Sequence, residues 1–281
     1  MIRVLSRAFT TGMQQWRIAL IVYVIQLCLA LPIGMEVRNV LVASIGNSLE
    51  FNKLLGHYDH TVFSDFLKVH GASITPLIGQ LRWLFLVWVL FSVFTDAGLL
   101  NGVTTSGPIR GRVFWEGGAC YFFPFLKIGL ILLVLWLVWT VVIFLPVVLL
   151  VLPALENSVT EIGPVWTFLG LLGLYVAGLL FIQVWSVVSR LQHIRTSASV
   201  RISLQTGLRI LNRHKSKLML FMLAFFAVQM LLFAIYWWLE SHSGMITPML
   251  IVIFFAIQQA FAFFRIQLRQ MAYAGIAFMT E

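Results

Sequence analysis

The residues best suited to chemistry crowd one stretch, where His57, Asp59, His60, Asp65 and His70 follow one another closely. On a helix, His57 and His60 lie three residues apart on one face and could offer two imidazoles to a metal ion, with a carboxylate as third ligand. The spacing matches no established metal signature, and Asp59 or Thr61 equally suits the cap of a following helix. The expectation is therefore an interfacial polar segment, with no metal and no cofactor. A second candidate is Asp96, an acidic residue inside a long apolar run. A carboxylate there is costly and is by default a sign of function. It falls about one turn from the expected inner end of its run, where it could reach interfacial water or pair with an arginine. Pairing near that surface would make Asp96→Asn nearly silent.

Side-chain amides form a third group. Gln26, Gln183, Gln229, Gln258 and Gln259 all interrupt apolar runs. Such amides bond across helix interfaces, often for only about 1 kcal/mol each. Asp96, Gln229, Gln258 and Gln259 are the candidate intramembrane polar residues. The fourth group is basic: residues 190–217 hold seven cations and no acid. Arg195, Arg201, Arg209, Arg213, Lys215 and Lys217 are candidate contacts for anionic lipid. Val200, Leu204, Leu208 and Leu211 share a helical face beside them, a pattern suited to the boundary of the anionic leaflet, although Ile202 falls on the polar side. No Walker loop, nucleophile elbow or His-Glu-x-x-His motif is present. No enzyme is expected.

The elements that must carry these residues follow from composition. Of 281 residues, 60% are hydrophobic and 10% charged, and the mean hydropathy is +0.96. A soluble domain needs roughly 25% charged residues to cover its surface, so cytosolic, secreted and disordered classes are excluded. Two cysteines exclude a disulfide framework. The expected fold is all-α: a single integral membrane domain over 1–281, a polytopic bundle of six transmembrane helices with interfacial amphipathic helices. About 20 apolar residues cross a bilayer, and the windows 18–36, 82–100, 125–152, 164–187, 218–239 and 248–265 qualify. Pro146 should kink the third near its far end. The periodic run Ile2, Leu5, Phe9, Met13 and Trp16 precedes the first, which makes that span an uncleaved anchor rather than a signal peptide.

Charge placement gives the orientation. With the N-terminus inside, fifteen Lys and Arg fall in inner segments and four outside, which places both termini in the cytoplasm. The net charge of +9 is thus a membrane signature, and no nucleic-acid partner is expected. The outer segment 37–80 should hold amphipathic helices, one over 39–55 and one from Thr61 to His70 closed by Gly71. Three units each begin with an amphipathic segment ending in a cation, Arg17, Lys127 or Lys217, and continue into a span.

Two stretches carry a family resemblance. Gly117-Gly118-Ala119-Cys120-Tyr121-Phe122-Phe123-Pro124-Phe125-Leu126-Lys127 enters the third span, and Ser203-Leu204-Gln205-Thr206-Gly207-Leu208-Arg209 precedes Asn212-Arg213-His214 and the fifth. In these the chain resembles a broad group of bacterial six-helix membrane proteins that includes the membrane domain attached to some glycerophosphoryl diester phosphodiesterases. The resemblance implies a multi-pass protein of the inner membrane. It carries over no phosphodiesterase activity, because that catalytic domain is not present in this sequence. The expected function is non-enzymatic: organising lipid, anionic in character, or a partner protein in the membrane at the cytoplasmic leaflet. The alternative is a small permease or a permease subunit.

Overall fold

The computed structural model describes residues 2–45, 60–105, 111–151, 153, 162–242 and 248–280. Among these the chain is helical almost throughout and has no strand. The helices are α1 (Ile2–Gln14), α2 (Trp16–Ile45), α3 (His60–Thr104), α4 (Gly111–Pro146), α5 (Ile162–Thr196), α6 (Val200–Arg213), α7 (Lys215–His242) and α8 (Pro248–Met279). Six of them, all but α1 and α6, are long and apolar enough to cross a membrane. A helix satisfies its own backbone donors and acceptors, which hydrocarbon cannot do. The all-α polytopic bundle expected from composition is therefore the fold; five of the expected windows each fall within one helix, and the third, 125–152, passes from α4 into a π-helical turn.

The helices outrun the windows. Gly71 does not close a separate helix, because α3 runs without interruption from His60 to Thr104. One interior glycine costs only about 1 kcal/mol relative to alanine, too little to stop a long helix. α4 is already helical from Gly111, well before the third window opens at 125, and Pro124 leaves it unbroken. At Pro146 the α-helix ends and a π-helical turn, Val147–Val151, follows. The proline ring lacks the donor for the carbonyl one turn back, and the wider hydrogen-bond register takes over at that point. The last helix passes Arg265 and continues to Met279. Of the outer segment 37–80, residues 46–59 lie outside the described residues.

The chain forms two compact units. One comprises Met1–Met13, Val93–Ala227 and Gln270–Glu281, and the other comprises Gln14–Ser92 and Val228–Arg269. The first unit holds the densest packing: Phe114, Phe125, Phe221, Leu99, Ile128 and Met271 are among its fully buried side chains. In the second, Tyr23 donates to Gln259 Oε1 at 2.7 Å and sets its ring edge-on to Phe263.

Within the first unit the helices repeat one packing scheme three times. The ends of α3, α5 and α8 each receive the start of another element. The start of α4 lies on α3, where Gly98 meets Phe114 and Gly118 meets Phe94 so closely that a Cβ at either glycine would collide. On α5 lies α6, with Gly207 against Ser189 and the Trp185 indole donating to the Leu204 carbonyl at 3.0 Å. On α8 lies α1, with Gly12 against Met271 and the Arg7 guanidinium 4.3 Å above the Phe278 ring. α1 and α6 are separate helices, set off from α2 and α7 by single residues, Gln15 and His214. At the corresponding place in α4 the helix is continuous.

Candidate functional site

Asp96 lies deeper than its sequence context suggests. Because α3 continues to Thr104, the carboxylate stands about two turns from the helix end rather than one. Asn101 helps to hold that end: its amide donates to the Val113 carbonyl of α4 at 3.1 Å, and its own carbonyl accepts from the Thr104 hydroxyl at 2.8 Å. Asp96 meets one residue from each of the two other helix ends. Arg190 of α5 donates from Nη1 to Oδ2 at 2.7 Å, and Tyr273 of α8 donates from its hydroxyl to Oδ1 at 2.9 Å. The Arg190 bond has the length of a charge-assisted contact. The ion pair is buried, with side-chain exposures of 10% and 11%.

A fourth helix completes the setting. The Arg190 guanidinium lies 5.4 Å from the ring centre of Phe125 on α4, within cation–π range. One turn on, Gly129 faces the same group, and a Cβ there would stand 3.4 Å from Nη2. Phe125 and Gly129 are four residues apart and so share a face of α4. The third contact between helix ends is made by Arg195 of α5. It donates to the carbonyls of Ala277 at 3.0 Å and Thr280 at 2.9 Å at the end of α8. Three buried polar groups of this unit keep no protein partner: Ser189 Oγ, Arg190 Nε and the side-chain amide of Gln270. Unpaired buried groups are rare and costly.

Burial changes the expectation for Asp96→Asn. Removing the charge would strand the Arg190 guanidinium in a buried site, so the substitution should not be silent. Tyr273 and Gln270 were absent from the sequence candidates because the sixth window closed at Arg265. A signal was there: Ala272, Ala274, Gly275 and Ala277 are the small residues that let a helix end pack closely.

The other candidates lie elsewhere. Gln259 accepts from Tyr23 as described, Gln258 donates to the Tyr236 hydroxyl at 3.2 Å, and Gln229 is half-buried. These three belong to the second unit and Asp96 to the first, so no single unit gathers them. Arg201, Arg209, Arg213, Lys215 and Lys217 are exposed, whereas Arg195 is engaged with α8. The apolar face of α6, read from sequence as membrane-facing, instead turns Leu204 and Leu211 into the protein, where Leu204 joins Ile128 and Leu132 of α4. His57 and Asp59 lie outside the described residues, as do the side chains of His60, Asp65 and His70. Among the described residues no three His, Cys, Asp or Glu side chains group as a metal site would.

The arrangement can fix three helix ends in register, and it offers a charge pair that a conformational cycle could break and remake. No family model, curated protein or solved structure matches the chain.

Proposed function

We propose that this multi-pass protein resides in a bacterial inner membrane, has no enzymatic activity, and organises anionic lipid or a partner protein at the cytoplasmic leaflet. The observation that supports this reading is the cationic face of α6 and the start of α7. Arg201, Arg209, Arg213, Lys215 and Lys217 are exposed, and none forms an ion pair with a described residue. Five uncompensated cations beside a membrane attract anionic headgroups, each for about 1 kcal/mol near the surface. α1 adds an apolar stripe to the same unit, with Leu5, Phe9 and Met13 all exposed. Small residues, Ala8 and Gly12, form its protein side. Such a helix suits the plane of the interface.

The test uses the full chain in bilayers with a labelled anionic lipid. Arg201→Gln, Arg209→Gln and Arg213→Gln combined should lower enrichment of that lipid around the protein about ten- to a hundredfold at low salt. At about 1 M salt, where the screening length is about 3 Å, variant and parent should converge. Equal enrichment at low salt would remove the lipid-organising reading. The leaflet assignment is checked separately. Reporters fused after Lys217 and after Glu281 should score cytoplasmic, and one placed within 57–70 periplasmic.

A permease or permease subunit is the second reading. The buried Asp96–Arg190 pair favours it, since charges kept inside a bundle mark ion and substrate pathways in many transporters.

A further inference from the structure

A groove of about 460 Å³ opens between α4 and α5 in the first unit. Val138 and Val142 form one wall and Leu174 and Ala177 the other, with Phe181 and Lys215 at one end. Its span along the helices, from Leu174 to Ile182 on α5, is roughly 12 Å at about 1.5 Å per residue. The Trp139 indole lies along its base, packed on Gly178, and spends its N–H on the Tyr175 carbonyl at 3.3 Å. No indole donor is therefore left for a ligand, and the channel is apolar along its length. Lys215 is the one charged residue lining it. Its ammonium stands 5.9 Å from the Phe181 ring and has no carboxylate partner among the described residues.

An apolar channel on a spanning segment, with a single cation at one end, has the polarity of one molecule: a hydrocarbon chain below an anionic head. We propose that the groove holds an acyl chain of an anionic phospholipid, with its phosphate on the Lys215 ammonium. The proposal rests on the lipid-organising reading and gives it a specific site. Charge complementarity selects this occupant over the two rivals. A zwitterionic lipid would leave its own cation beside Lys215. A spanning helix of a second copy would fill the apolar walls and leave the ammonium unpaired.

The test is lipid retention by the purified full-length protein in mild detergent, read by native mass spectrometry. Phosphatidylglycerol and phosphatidylcholine of identical chains are the probes. The parent should retain one phosphatidylglycerol in preference to phosphatidylcholine. Lys215→Gln should cut that preference about fivefold, while Arg112→Gln, which changes an exposed cation of α4 outside the lining, should leave it unchanged. Ala177→Trp should displace both lipids by filling the channel. Leu174→Trp serves in its place should the first variant melt below the parent. Equal losses from Lys215→Gln and Arg112→Gln would overturn the site. So would retention that survives the tryptophan fillers. In either case sensitivity to the three α6 arginines would leave the broader reading standing. A parent without preference for either lipid would remove both.

Discussion

Asp96→Ala should destabilise the folded chain by about 3–5 kcal/mol, because it leaves the Arg190 charge buried and unpaired. Arg190→Ala should cost a similar amount by stranding the carboxylate. The pair as a whole is worth much less than either loss suggests, since burying two ions has already consumed most of their attraction. Asp96→Leu combined with Arg190→Met, which refills the space with apolar atoms, should therefore return most of the stability. Tyr273→Phe removes one hydrogen bond to a charged group and should cost about 1.5–3 kcal/mol. Denaturation midpoints in detergent measure all four. Equal losses in the single and paired variants would show that the ion pair itself, and not the stranding of one charge, carries the stability. The paired variant also separates the two functional readings. A stable protein that had lost transport would favour the permease, because the charges would then be needed for more than folding.

Gly98→Leu should be as damaging, for a steric reason. A Cβ at Gly98 would stand 2.6 Å from both the Phe114 carbonyl oxygen and its ring. The ring could rotate away, but the oxygen belongs to the backbone of α4 and moves only with the helix. Gly98→Ala should cost about 1–3 kcal/mol, the usual range for overpacking a filled core, and leucine more. Gly170→Ala, where nothing stands within 4 Å of an added Cβ, is the matched control and should be neutral or slightly stabilising. A melting series across the three variants checks the order. Similar melting of Gly98→Leu and the control would mean that α3 and α4 do not approach as described.

The six spans were legible because a charge-free apolar run of bilayer length has few alternatives, and the stretch from Ile128 to Leu155 is such a run. Their ends were not. Hydropathy measures transfer to lipid, so a window closes at Arg265 although the helix continues to Met279. The lost part of α8 is the part that carries Gln270 and Tyr273. Asp96 was found because one acid in an apolar run is conspicuous, whereas Arg190 was hidden among cations that positive-inside placement explains equally well. The face of α6 shows another limit. An amphipathic pattern states that a helix has an apolar side, but not whether lipid or protein covers it. Leu204 and Leu211 are buried in protein. On α1 the large apolar side chains Leu5, Phe9 and Met13 are exposed, and it is Ala8 and Gly12 that touch the bundle.

The seat of α1 on α8 bears on how the chain is made. Gly12 closes against Met271, so α1 docks on a helix that leaves the ribosome after every other helix described above. The Asp96 carboxylate and the Tyr273 hydroxyl that binds it are separated by 177 positions. Until α8 has been inserted, a nascent chain therefore holds Asp96 without its phenol and Arg195 without its carbonyls, and α1 has no groove to enter. Contacts this distant in sequence form late and slowly. During synthesis, the early helices must wait in the bilayer with polar groups uncovered. It is in that interval, rather than in the finished protein, that insertion factors and quality-control proteases have something to recognise.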